Sequence, residues 1–170
     1  MSKLSNFIDL LTEQVGKLIA WLTLILVAII GVDVLLRYAF NKSTAALFEI
    51  EWHLFAILFL VGAGYTLRHD KHVRVDVFYS RFSEKTKAWV NLIGAILFLI
   101  PFCIVVIKTS IPFVTASYQI MESSADPGGL PYRFIVKSFI PIGMSFLLLQ
   151  GISESLKSLN IILNTKRLEQ

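Results

Sequence analysis

Apolar residues fall into four long blocks separated by short, charge-dense stretches. Each block approaches the roughly 20 apolar residues that a helix needs to cross hydrocarbon. The pattern therefore predicts transmembrane helices over 18–36, 47–67, 88–107 and 134–152, an all-α integral membrane fold in a single domain over 1–170. The polar interruptions are few: Asp33 late in the first block, Glu49, Glu51 and His53 early in the second, Asn91 in the third, and Lys137 and Gln150 towards the two ends of the fourth. Ahead of the first block, Leu4, Phe7, Ile8, Leu11, Val15 and Leu18 recur at i, i+3, i+4, i+7 spacing, with Asp9, Glu13 and Gln14 between them. This spacing predicts an N-terminal amphipathic helical extension, either continuing the first span or lying along the membrane surface. Leu156, Leu159 and Ile162 extend the fourth span in the same way. The stretch 108–133 is expected to be a long loop, because the two prolines and two glycines of "DPGGLPYR" (Asp126 to Arg133) force turns. Pro101, Pro112 and Pro141 fall in or near helices, where each removes a backbone donor and can kink the helix.

Composition sharpens this picture. The chain is 55% hydrophobic and 16% charged, with a mean hydropathy of +0.69. The net charge of +4 reads as membrane topology rather than a nucleic-acid footprint. Arg68, Lys71, Arg74, Arg81, Lys85 and Lys87 share one side with the terminal Lys3, Lys17, Lys157, Lys166 and Arg167. Only Arg37, Lys42, Lys108, Arg133 and Lys137 fall on the other side. Eleven against five places both termini and the loop 68–87 in the cytoplasm. The one cysteine, Cys103, excludes an intrachain disulfide. The first block has no Ala-x-Ala-like site after it and runs on into Asp33 and Arg37, so it reads as a retained span rather than a signal peptide.

Candidate chemistry is sparse. His69 and His72 are three apart, and a metal site would need Asp70 or Asp76 as further ligands, but a solvated, basic membrane exit explains them better. Haem held between two histidines would need a second chain. His53 and His69 lie on one helix about 24 Å apart at 1.5 Å per residue, and the chain's three histidines are all on or just past helix two. Asp33 and Arg37 are four apart and pair naturally on one face, a local ion pair in apolar surroundings. Glu49 shares a face with His53 and is placed to join that pair across the short first loop. No nucleophile–base motif, phosphate loop or cofactor fingerprint is present, so no enzymatic role and no cofactor is assigned. Gly62-Ala63-Gly64 and Gly94-Ala95 allow close helix approach, within the domain or to a partner.

In order and spacing, these residues resemble the small Q (DctQ-like) membrane subunit of tripartite ATP-independent periplasmic (TRAP) transporters. The resemblance rests on Glu49 followed by "FLVGAGYTLRHDKHVRVDVF" with Arg68, His72 and Asp76, on "DVLLRYAFN" from Asp33 to Asn41, and on "GGLPYRFIVKSFIPIG" from Gly128 to Gly143. It covers about residues 18–152. It implies a multi-pass protein of the bacterial inner membrane, partnered by a large multi-span permease (M) subunit and a periplasmic substrate-binding protein. The implied role is accessory: bracing the large subunit and helping dock the soluble protein during sodium-coupled import of an organic acid. Asp33, Arg37, Glu49, Arg68, His72 and Asp76 are then structural or interface residues, the last three fixing the cytoplasmic end of helix two and the turn after it. The competing classes are an independent small channel or carrier and a haem-binding membrane anchor of an enzyme complex. A channel would line the membrane midplane with polar groups, whereas the middles of helices two and three are almost wholly apolar.

Overall fold

The computed structural model describes residues 3–69, 79 and 81–168. Among the described residues, four long helices build it: α1 (Lys3–Phe40), α2 (Ala45–Arg68), α3 (Glu84–Gln119) and α4 (Phe134–Leu168). All four are long and apolar enough to cross a membrane, and no strand occurs among the described residues. They alternate in direction, so the start of α1 meets the second half of α4. The start of α1 and the end of α4 therefore lie at one end of the bundle. Helix α4 is the hub, packing on the other three.

The polarity of the bundle is that of a protein dissolved in lipid. Leu24 and Ile25 of α1, Phe55 and Phe59 of α2, and Phe98 and Phe102 of α3 all face outward. The largest fully buried side chains include Gln150, Glu49 and Asp33. Apolar surface this extensive has to be covered by hydrocarbon or by protein, and helices are suited to that medium because they satisfy their own backbone. Local chemistry sets the starts of two helices. The Thr44 hydroxyl accepts from the Leu47 amide at 3.3 Å to cap α2, and the Ser83 hydroxyl accepts from the Thr86 amide at 3.2 Å to cap α3. Glu84 adds an acid at the positive end of α3.

The helices exceed the spans expected from sequence. Helix α3 runs through Pro112 to Gln119, so the connecting loop is 120–133 rather than 108–133. One missing donor at proline costs less than a dozen residues of unpaired backbone in lipid. A second proline leaves a visible mark on α3. Residues Ala95–Leu99 form a π turn in which the Ile100 amide reaches back to the Ala95 carbonyl. Pro101 follows directly. It offers no N–H and crowds the carbonyl four residues back, and a locally widened turn relieves both.

The N-terminal extension is one continuous helix with the first span, the first of the two alternatives, and its polar face packs inward. Ser5, Ile8, Asp9, Thr12 and Gly16 turn inward, while Leu4, Phe7, Leu10 and Leu18 point out. Of the periodic apolar set, only Ile8 is in the core. Glycines also set the closest helix approach. A Cβ on Gly143 of α4 would stand 2.6 Å from the Leu60 carbonyl oxygen of α2, and one on Gly64 would stand 3.2 Å from the Phe146 oxygen. Of the pair in "GAG", Gly64 is thus the packing glycine, while Gly62 faces open space.

Candidate functional site

The bundle carries polar chemistry at its two ends. At the end away from the termini, Glu49 in the second turn of α2 is 1% exposed and is gripped by the 120–133 loop. Its Oε1 accepts from the Ser124 hydroxyl and from Arg133 Nη2 at 2.7 Å. Its Oε2 accepts from the Leu130 amide at 2.6 Å. The Ser124 hydroxyl in turn accepts from the Asp126 amide at 3.1 Å and from Arg133 Nη2 at 3.1 Å. The loop is tied to itself through Ser124 amide to Leu130 carbonyl at 3.0 Å and Arg133 amide to Glu122 carbonyl at 2.8 Å.

This arrangement explains the "DPGG" turn. Gly128 adopts φ +77°, a left-handed conformation that glycine takes without strain. A Cβ on Gly129 would press on the Ser124 side chain and stand 3.0 Å from Glu49 Oε2. Only glycine there lets the loop close over the carboxylate. The Arg133 guanidinium also sits 5.9 Å from the Trp52 ring centroid, a cation–π contact that pins the start of α4 to α2. Beside it, Lys137 donates to the Glu122 carboxylate and lies 4.2 Å from the Phe113 ring centroid. The Lys137 hydrogen bond holds the Glu122 carboxyl below its ordinary value of 4.5.

Asp33 and Arg37 do form an ion pair on α1, with Asp33 buried and Arg37 half exposed. Glu49 does not join them, contrary to the expectation from the short first loop. The 120–133 loop offers it a hydroxyl, an amide and a guanidinium at once, which outcompetes a guanidinium already committed to Asp33. Asp33 Oδ1 has no hydrogen-bond partner among the described residues.

At the terminus-bearing end, α1, α2 and α4 are stitched together. Asp9 Oδ1 accepts from Gln150 Nε2 at 3.0 Å and from the Ser153 hydroxyl at 2.9 Å. Its Oδ2 pairs with Lys157 at 2.7 Å. The Ser5 and Ser153 hydroxyls bond at 2.8 Å. Arg68, in the last turn of α2, turns inward along α1. Its Nη1 donates to the Asp9 carbonyl at 2.5 Å and to Glu13 Oε2 at 2.6 Å. Glu13 also meets His69 at 3.1 Å and Lys17 at 3.3 Å. A carboxylate placed one helix away gives a cation in apolar surroundings a nearer partner than a headgroup. His72 and Asp76 lie outside the described residues. His53 turns its Nδ1 to the Glu49 carbonyl.

Sequence reasoning found Asp33, Arg37, Glu49 and Arg68, but not the partners Ser124, Arg133, Asp9, Glu13, Ser153 and Lys157. One signal for the second set was available. Gln150, Ser153, Glu154 and Lys157 recur at i, i+3, i+4, i+7 on α4, a polar stripe whose period marks an inward face when the solvent is lipid. Chemically, both ends are cross-links: each carboxylate that they bury is held by cations, hydroxyls or amides. Among the described residues, no group of three histidine, cysteine, aspartate or glutamate side chains is close enough to hold a metal ion.

Four helices long and apolar enough to cross a membrane, fastened at both ends by polar clamps, define an integral membrane protein. A family model described as "Tripartite ATP-independent periplasmic transporters, DctQ component" matches residues 26–160, well over half of the chain. The protein belongs to this family, and is a small permease component of the inner membrane. No curated protein and no solved structure matches it.

Proposed function

We propose that this chain is the accessory membrane subunit of a sodium-coupled TRAP importer of an organic acid. It braces a large permease subunit, and its loop-bearing end contributes to the surface on which the periplasmic substrate-binding protein docks. Both termini face the cytoplasm, as the eleven-to-five division of basic residues favours, and residues 1–170 act as one membrane domain. The observation that supports this reading most strongly is where the buried charges lie. Asp9 is clamped at one end, and Asp33 and Glu49 lie towards the other. The buried residues between them, such as Leu26, Val61, Ala95 and Leu147, are apolar. An anionic substrate crossing this bundle would meet no cation at mid-depth, whereas a brace needs stiffness and an apolar outer face.

The experiment is reconstitution with and without the partner subunit. The chain with the large permease and the periplasmic protein is expected to drive sodium-dependent uptake, and omission of this chain to abolish or sharply reduce it. The chain alone is expected to transport nothing. Specific uptake by the isolated chain would overturn the accessory reading in favour of a carrier.

A further inference from the structure

A cavity of about 570 Å³ opens between α2, α3 and α4 at the terminus-bearing end, within the size range of small-molecule sites. Its chemistry changes along its length. The mouth is charged with both signs: Arg68, Lys87 and Lys157 stand beside Glu84 and Glu154, with Tyr79 at the rim. Further along α3 the walls become small and apolar, with Gly94 and Ala95 facing Gly151 of α4. The floor is closed by Leu99, whose Cδ2 would stand 2.7 Å from a Cβ on Gly151. The floor coincides with the π turn at Ala95–Leu99. From Glu84 to Leu99 the cavity follows α3 for about 22 Å at 1.5 Å per residue.

We infer that this cavity binds a glycerophospholipid whose headgroup carries both a phosphodiester and a primary ammonium, with the head at the charged mouth and an acyl chain along the α3–α4 groove. Three observations carry this. The first is the amphipathic gradient, which matches a molecule with a charged head and an apolar tail. The second is the mixed charge of the mouth. Lys87 meets Glu84 at 3.0 Å, yet an ammonium has three donors, so it can serve a phosphate oxygen as well. Glu84 is largely exposed and can accept from a headgroup ammonium. The third is depth. Trp89 lies between Lys87 and Gly94 with its side chain partly exposed, and tryptophan in membrane proteins concentrates at headgroup level. Gly94 supplies the room, since a Cβ there would touch nothing within 4 Å. This inference is independent of the assembly proposed above.

The test is native mass spectrometry of the full, delipidated chain in detergent, offered phosphatidylethanolamine, phosphatidylcholine, phosphatidylglycerol or tail-free glycerophosphoethanolamine. Gly94→Leu fills the groove from an open position. Gly31→Leu, at an equally open glycine on α1 away from the cavity, is the control. Both variants should keep the wild-type melting temperature without lipid. Wild type and Gly31→Leu are expected to retain one phosphatidylethanolamine per chain, with at least tenfold weaker retention in Gly94→Leu and in Lys87→Gln. Equal retention by Gly94→Leu and Gly31→Leu would place the lipid elsewhere and overturn the proposal. Binding of the tail-free head as tightly as the lipid would overturn the groove. Phosphatidylcholine or phosphatidylglycerol held as tightly as phosphatidylethanolamine would overturn the headgroup assignment. Loss of large-permease co-purification in Gly94→Leu, with lipid retention unchanged, would make the cavity a protein-docking site instead.

Discussion

At the scale of single residues, Glu49 and Glu122 are two acids doing different work in the same corner. Glu49 joins three separate pieces of backbone, because its carboxylate collects a hydroxyl, an amide and a guanidinium. Glu49→Gln keeps the shape but replaces one acceptor oxygen with a donor facing other donors. It is expected to lower the melting temperature by several degrees and to speed hydrogen exchange at the Leu130 amide. An unchanged exchange rate at Leu130 would show that the loop holds without this carboxylate. Glu122 makes a pH prediction. Its folded pKa is depressed below 4.5, chiefly by Lys137. The stability it contributes is therefore fully present above the unfolded value and is lost as pH falls through the lower folded value. Stability of wild type should thus decline on acidification below about pH 4.5 more steeply than that of Glu122→Gln. Parallel melting curves for the two proteins across that range would contradict the pairing.

At the scale of helices, the decisive contacts are glycines and polar stripes. Gly143 and Gly64 set the α2–α4 crossing, and Gly62 two residues away sets nothing. Gly143→Ala pushes a methyl group into the Leu60 backbone and is expected to cost about 1–3 kcal/mol, the range for overpacking. Gly62→Ala should be close to neutral. Thermal unfolding of the two variants in the same detergent separates them, and equal losses would refute the crossing geometry. Much of this scale was legible in the sequence. Four apolar blocks near bilayer length announce four spans because nothing else in solution requires such runs. The lengths beyond the membrane were less so, since α3 continues where proline suggests a stop. The clamp partners were less legible still. Arg133 stands far along the chain from Glu49, and Lys157 far from Asp9, and no local period reports which residues meet across helices. The inward face of α1 was not legible either: Leu4, Phe7 and Leu10 point outward because the interior is occupied by Asp9 and its partners.

At the scale of the whole molecule, α1 is too long for an upright span. Its 38 residues extend about 57 Å at 1.5 Å per residue, against roughly 30 Å of hydrocarbon. Large apolar side chains are nonetheless exposed along it from Leu4 to Phe40, interrupted by the exposed Asn6, Gln14, Lys17 and Arg37. The N-terminal third of α1 is therefore expected to lie obliquely in lipid when the chain stands alone. A fluorophore on Phe7→Cys, in a background lacking Cys103, should be quenched by lipid-borne quenchers in nanodiscs. Quenching by aqueous iodide instead would put that end in water. Orientation is tested in the same background: a membrane-impermeant thiol reagent applied from the periplasmic side should label Ser124→Cys and spare Ser83→Cys. The reverse pattern would invert the molecule.

The bonds from Ser5 and Asp9 to Ser153 and Lys157 also impose an order in time. They join positions more than 140 residues apart in the chain. A ribosome adding roughly 5–20 residues per second delivers α4 on the order of ten seconds after α1 has left the tunnel. Through that interval, the Asp9 carboxylate sits on an apolar helix without Gln150, Ser153 or Lys157 to receive it. The start of α1 is thus fastened only once α4 is made, and a chain that stalls before α4 displays an unmatched acid at the membrane surface, where proteolytic surveillance can read it as unfinished.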